Sequence, residues 1–194
     1  MTKPLIILDF DGTLIDCKEL HQEGFRQAVL SQCPDALYTN DEVEGLPTTA
    51  KISYLQAKGI PIDNHVNHLK QLHTMEHMNE YIIYNSDLHD ILNALCVEYT
   101  VSLATNGRKE FIDRALDILD LTMFHSVYTP DDAPSKPDTF MFEQCMNEAN
   151  VTYSETIIVE DSPMGIHCAI STGAKVVTVS CQADTIEYLE TLLT

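Results

Sequence analysis

The sequence predicts an α/β fold: a parallel sheet covered on both faces by helices, three layers in all, with a helical module inserted after the first strand. Three observations lead there. Leu5-Ile6-Ile7-Leu8 is a run of aliphatic residues without polar alternation, which marks a strand buried on both faces. Residues 16–84 alternate polar and apolar residues at helical spacing and contain no strand-like run. Beyond residue 85 strand-like and helix-like segments alternate, at lengths that build parallel strand–helix–strand units.

The elements follow in order. Residues 4–10 read as the first strand. Leu20 to Gln32 suits a helix, stopped by Cys33-Pro34 because the residue before proline avoids helical geometry. Thr48 to Lys58 suits another, stopped by Gly59-Ile60-Pro61. Asp63 or Asn64 caps a third, reaching about Tyr84 with Val66, Leu69, Leu72, Met75 and Met78 assigned to one face. Ser86 or Asp87 opens a helix to Cys96, and Tyr99 to Ala104 is the second strand, ending at Thr105-Asn106-Gly107. A helix over Lys109 to Leu119 leads to a weak third strand, His125 to Tyr128, and a loop rich in Pro and Asp. Asp138 to Asn150 is helical, and Thr156 to Val159 is a fourth strand ending at Glu160-Asp161. A helix over Met164 to Thr172 closes at Gly173, before a fifth strand, Lys175 to Val179, and a last helix, Asp184 to Leu193.

Composition narrows the function. A chain of 194 residues with 44% hydrophobic and 21% charged residues supports one well-buried domain, or a core with a small insertion. A net charge of −19 without a Lys/Arg cluster excludes a phosphate-backbone interface, so neither nucleic acid nor an anionic membrane is expected as a partner. No apolar run approaches the roughly 18 residues of a membrane span and no signal-peptide pattern opens the chain, so a cytoplasmic monomer is expected. The six cysteines are scattered without a CxxC pair and read as reduced thiols.

Asp9 and Asp11 stand at the end of the first strand, two residues apart and followed by Gly12, which can turn sharply. Like charges held that close require a cation or a catalytic task. Polar signals follow the later strands too: Thr105-Asn106-Gly107, Lys136 and Glu160-Asp161. In a parallel sheet all four groups meet at one edge, where open α/β folds build their sites. Singly, each motif has a plain structural reading: Asp-Gly as a turn, Glu160-Asp161-Ser162 with Pro163 as a helix start, Lys136 as a solvated loop residue. Jointly and in this order they do not.

With DFDGTL at 9–14, ATNG at 104–107, SKPD at 135–138 and VEDSPMG at 159–165, the chain resembles the haloacid dehalogenase superfamily of phosphotransferases. The resemblance spans nearly the whole chain and implies a Rossmann-like αβα core, residues 1–15 and 86–194, with an inserted α-helical cap domain, residues 16–85. It implies a phosphatase that uses Mg²⁺ and forms an aspartyl-phosphate. Asp9 is then the nucleophile and Asp11 the acid and base; Asp9, the Asp11 carbonyl and Asp161 hold the metal, with Glu160 assisting. Thr105 offers its hydroxyl and Asn106 and Gly107 their amides to the phosphoryl oxygens, and Lys136 balances the charge.

In such enzymes the cap closes over the site and selects substrate, which makes His21, Thr48, Thr49 and Lys51 specificity candidates. The expected substrate is a small phosphorylated metabolite. The alternatives are a phosphomutase of the β-phosphoglucomutase type, which shares these groups, and a non-catalytic regulatory protein that keeps the fold. His65, His68, His73 and His77 read as surface residues of an amphipathic helix rather than as a metal site.

Overall fold

In the computed structural model, which describes residues 2–194, the chain divides into two compact units: Met1–Asp16 together with Ile82–Thr194, and Cys17–Tyr81. The first is built on five parallel strands, β1 (Leu5–Leu8), β2 (Thr100–Ala104), β3 (Val127–Tyr128), β4 (Thr156–Glu160) and β5 (Lys175–Thr178), in the order β3-β2-β1-β4-β5. β1 lies at the centre, with Leu8 level with Leu103 of β2 and Val159 of β4. All four of its side chains are fully buried, as its unbroken apolar run requires.

Helices α4 (Ser86–Glu98), α5 (Lys109–Leu119), α6 (Phe140–Ala149), α7 (Pro163–Ser171) and α8 (Gln182–Thr191) cover the sheet. Alternation along β1 sends Leu5 and Ile7 to one face, into a cluster with Met141 and Phe142 of α6 and Cys168 and Ala169 of α7. Ile6 and Leu8 point to the other face. There α4 packs on β2 and on α8, and α5 brings Phe111 edge-on to Phe10, with ring centres 6.3 Å apart. The three layers expected from the sequence are present. Strand ends differ from expectation: β1 stops at Leu8 because the chain turns at the Asp9-Asp11 segment, β2 and β5 are each one residue shorter, β4 extends one residue further to Glu160, and β3 pairs regularly over only two residues.

The second unit packs α1 (Lys18–Gln32), α2 (Thr48–Ala57) and α3 (His65–Tyr81) around Phe25, Val29, Ile52, Leu55 and Val66. One expectation fails here. Leu72 is exposed, and the buried residues of α3 are Val66, Thr74 and Met78. A run spaced by three drifts about 60° backward around a helix at each step, so five such residues cannot share a face. What α3 turns inward is set by α1, where the missing side chain of Gly24 admits Thr74: a Cβ there would lie 2.3 Å from Thr74 Oγ1. Among the described residues no helix is long and apolar enough to cross a membrane.

Candidate active site

The carboxyl edge of the sheet gathers the acids. One residue past β1, Asp9 still donates its amide to the Val159 carbonyl at 3.0 Å, which sets it beside the end of β4. The chain then folds into a tight turn, in which Leu14 and Ile15 donate to the Phe10 carbonyl and Gly12 to the Ile15 carbonyl at 2.7 Å. Gly12 has a φ of 83°, and a Cβ on it would lie 2.2 Å from Asp161 Oδ2. The residue type therefore meets two demands: a left-handed turn, and direct approach of the first motif to the acid that follows β4.

Carboxylate oxygens of Asp9, Glu160 and Asp161 lie within 4.8 Å of one another, the one such group of three or more His, Cys, Asp or Glu side chains among the described residues. Asp9 is 7% exposed and Glu160 0%. Burial raises the Asp9 carboxyl to about 7 against the pull of the Lys136 ammonium, with repulsion from Glu160 and Asp11 acting in the same upward direction. Asp161 is raised as well, first by burial and then by Glu160, with Asp11 adding a smaller push. Asp161 Oδ1 is buried without a hydrogen-bond partner, an arrangement that costs free energy unless a cation meets it. Clustered hard oxygens, one of them buried without a partner, suit a small divalent ion.

Lys136 supplies the opposing charge. It is 4% exposed, and its Nζ donates to Asp9 Oδ1 at 2.6 Å and also to Glu160 Oε1. Burial pulls the ammonium's pKa down, but Asp9 and Glu160 outweigh it and hold the group above the ordinary lysine value. The other Glu160 oxygen accepts from the Asp161 and Ser162 amides at 3.1 and 3.2 Å and from the Ser162 hydroxyl at 3.1 Å. Ser162 also caps α7 by accepting from the Gly165 amide, with Pro163 in the first turn as the sequence suggested.

Thr105, 1% exposed, stands at the end of β2, and its Oγ1 accepts the Gly107 amide at 3.0 Å. The Gly107 N–H, expected to face a phosphoryl group, is therefore engaged within its own turn. The side chain of Asn106 has a role that the sequence reading missed. Its Oδ1 accepts the Lys136 amide at 2.9 Å and its Nδ2 donates to the Lys136 carbonyl at 3.2 Å. These two bonds clamp the backbone that carries the Lys136 ammonium. An Asn at the first free position after a strand was visible; its partner 30 residues away was not.

The remaining candidates, His21, Thr48 and Thr49, belong to the second unit. His21 lines a cavity of about 370 Å³ there with Lys18, Gln22, Glu44, Gly45 and Lys51. Lys18 pairs with Glu44, and Lys51, whose ammonium lies 5.4 Å from the centre of the Phe25 ring, is lowered by burial. Thr48 and Thr49 open α2, and neither is among the residues lining that cavity. His73 and His77 pair with Glu76 and Glu80 one turn along α3, as helix-surface residues do.

The same fold occurs in known proteins, and one curated relative is similar in sequence. The pyrophosphatase PpaX of Listeria monocytogenes is 22% identical over 160 residues, covering 81% of this chain and 74% of that protein. A Thermotoga maritima protein assigned as a β-phosphoglucomutase superposes with a TM-score of 0.80 at 20% identity, over 98% of this chain and 100% of its own. A predicted phosphoglycolate phosphatase from Haemophilus somnus gives 0.77 at 16% identity, over 99% of both chains. The family model for haloacid dehalogenase-like hydrolases matches residues 6–179, from the first strand to the segment just past the fifth, and the chain belongs to that family of enzymes.

Proposed function

We propose that the protein is a Mg²⁺-dependent phosphohydrolase that cleaves a small phosphomonoester through an aspartyl-phosphate on Asp9. The observation that supports this best is a buried carboxylate at the end of the central strand, held against a buried ammonium and flanked by two further acids. Asp9 attacks phosphorus, the bond to the leaving oxygen breaks, and Asp11 gives that oxygen its proton. A water molecule then passes a proton to Asp11 and attacks the same phosphorus, which frees phosphate and restores Asp9. Lys136 offsets the negative charge throughout, and the Thr105 hydroxyl and Asn106 amide donate to the phosphoryl oxygens. Asp9, Asp161 and the Asp11 carbonyl would hold Mg²⁺, with Glu160 assisting. When bound, the ion relieves repulsion among the acids and favours approach of an anionic substrate. Residues 17–81 act as the cap, and His21, Thr48, Thr49 and Lys51 select the leaving group.

The test is phosphate release from a panel of phosphorylated metabolites, with pyrophosphate included because the Listeria relative carries that activity in its name. Turnover should require Mg²⁺ and vanish in Asp9→Asn. Undiminished phosphate release in excess chelator, or by Asp9→Asn, would overturn the mechanism.

A further inference from the structure

Gln182, the first residue of α8, reaches two segments far from it in sequence. Its Nε2 donates to the Leu14 carbonyl, and its Oε1 accepts from Asn85 Nδ2 at 3.0 Å. Leu14 lies in the Asp9–Ile15 turn, two residues before the first unit gives way to the second; Asn85 lies three residues after the chain returns at Ile82. Asn85 is itself fixed, because its Oδ1 caps α4 by accepting from the Asp87 and Leu88 amides at 3.0 and 3.2 Å. The Leu14 carbonyl can only accept and the Asn85 amide nitrogen can only donate, so the Gln182 amide has one orientation that satisfies both. A chain of side-chain bonds thus runs from the start of α4, through α8, to the turn that carries Asp11.

We infer that Gln182 is a positioning residue for Asp11: its amide pins the Asp9–Ile15 turn to the segment by which the chain returns at Asn85. The bonds among Phe10, Gly12, Leu14 and Ile15 close the turn internally, and at its start Asp9 is tied outward by its amide to Val159 and by its carboxylate to Lys136. The Gln182 amide supplies an external anchor three residues past Asp11. Asp11 must meet both the leaving oxygen and the incoming water, so a small rotation of this turn slows proton transfer while leaving phosphate binding intact.

Two variants separate the arms. Gln182→Leu removes both bonds; Gln182→Glu keeps an acceptor for Asn85 but has no donor for Leu14. Hydrogen exchange of Gly12, Leu14 and Ile15 should quicken about fivefold in Gln182→Leu and Gln182→Glu, and that of Asp87 and Leu88 should quicken in Gln182→Leu but not in Gln182→Glu. Turnover of glycerol phosphate, whose alkoxide leaves poorly without a proton, should fall about tenfold in both Gln182 variants, with p-nitrophenyl phosphate, a good leaving group, falling about twofold or less. A mere loss of folded enzyme would lower the two substrates equally. The kinetic arm rests on Asp11 being the general acid, whereas the exchange arm does not. An unchanged exchange rate at residues 12–15 in both Gln182 variants overturns the anchor, and quickened exchange with an unchanged ratio between the two substrates overturns its link to Asp11. Should Gln182→Leu fail to fold, Gln182→Glu carries both measurements.

Discussion

The Lys136 ammonium lies 2.6 Å from Asp9 Oδ1, and both residues are almost wholly buried at the end of the central strand. Neither charge would persist there alone. Glu160 joins the pair from β4, so one cation faces two anions, with Asp161 beside them. Removing the cation leaves Asp9 and Glu160 uncompensated in a dry setting. Lys136→Met should lower stability by about 3 kcal/mol and reduce turnover at least about a thousandfold. Mg²⁺ should restore part of the stability but not the turnover. Urea unfolding with and without Mg²⁺, beside a phosphate-release assay, reads both; an unchanged urea midpoint without Mg²⁺ would show that the ion pair is not what holds this edge together.

The raised Asp9 carboxyl gives a pH dependence of definite sign. Its ordinary value is 3.8 and its folded value about 7, so between them the native state binds the proton more tightly than the unfolded chain. The stability that Asp9 contributes is therefore fully present below about pH 4 and is lost as pH rises through about 7. Asp9→Asn carries no such proton. In chelator, wild type should lose stability relative to Asp9→Asn between about pH 4 and pH 8. Because Mg²⁺ competes with the proton, adding it should reverse that loss in wild type and do much less in the variant. A difference between the two proteins that stays flat with pH would argue against a raised carboxyl.

Gly165 tests whether the position of Glu160 matters. A Cβ on it would lie 2.0 Å from Glu160 Oε1, and Gly165 has no positive φ. Alanine in a helix is otherwise favoured over glycine by about 1 kcal/mol. Here the Glu160 carboxylate would have to leave the Lys136 ammonium and the two amides that hold it. Gly165→Ala should cost about 2 kcal/mol or more and lower kcat about tenfold. Gly59→Ala is the contrast: its φ is 86° with nothing within 4 Å of a Cβ, so it should cost about 1 kcal/mol and leave kcat alone. Equal kcat losses in the two variants would mean that Glu160 has no special part.

Much of this site is written locally. Leu5-Ile6-Ile7-Leu8 announces a strand buried on both faces, and the DFDGTL, ATNG, SKPD and VEDSPMG segments each end or follow a strand, so a parallel sheet brings them together. What stays hidden are contacts decided by distance in three dimensions. The Asn106 clamp on Lys136 spans 30 residues, and the Gln182 bond to Leu14 spans 168. No periodicity records such pairs, and Gln182 falls two residues before the expected start of the last helix, where nothing in the sequence marks a partner. The inward face of α3 is hidden for another reason: its apolar residues wind around the helix, and the choice falls to the neighbour, through the space that Gly24 leaves.

That space carries the last prediction. Thr74 is 4% exposed, and its hydroxyl lies 2.3 Å from where a Cβ of residue 24 would be, without a hydrogen-bond partner. A buried hydroxyl without a partner has lost its water and gained nothing in return, a cost of about 1 kcal/mol or more. Valine has nearly the same shape and no such need, so Thr74→Val should raise the stability of the second unit by about 1 kcal/mol. Gly24→Ala should lower it by about 2 kcal/mol, because the Cβ meets both Thr74 Oγ1 and, at 3.2 Å, the backbone carbonyl of Lys70. Thr74→Ala in the Gly24→Ala background should recover part of that loss, since the side-chain clash goes and the backbone contacts, to the Lys70 carbonyl at 3.2 Å and the residue 74 nitrogen at 3.3 Å, remain. Thermal unfolding of the four proteins decides it. If Thr74→Val proves clearly destabilising, the hydroxyl has a partner in solution, and the close approach of α1 and α3 is held by a polar bond rather than by packing alone.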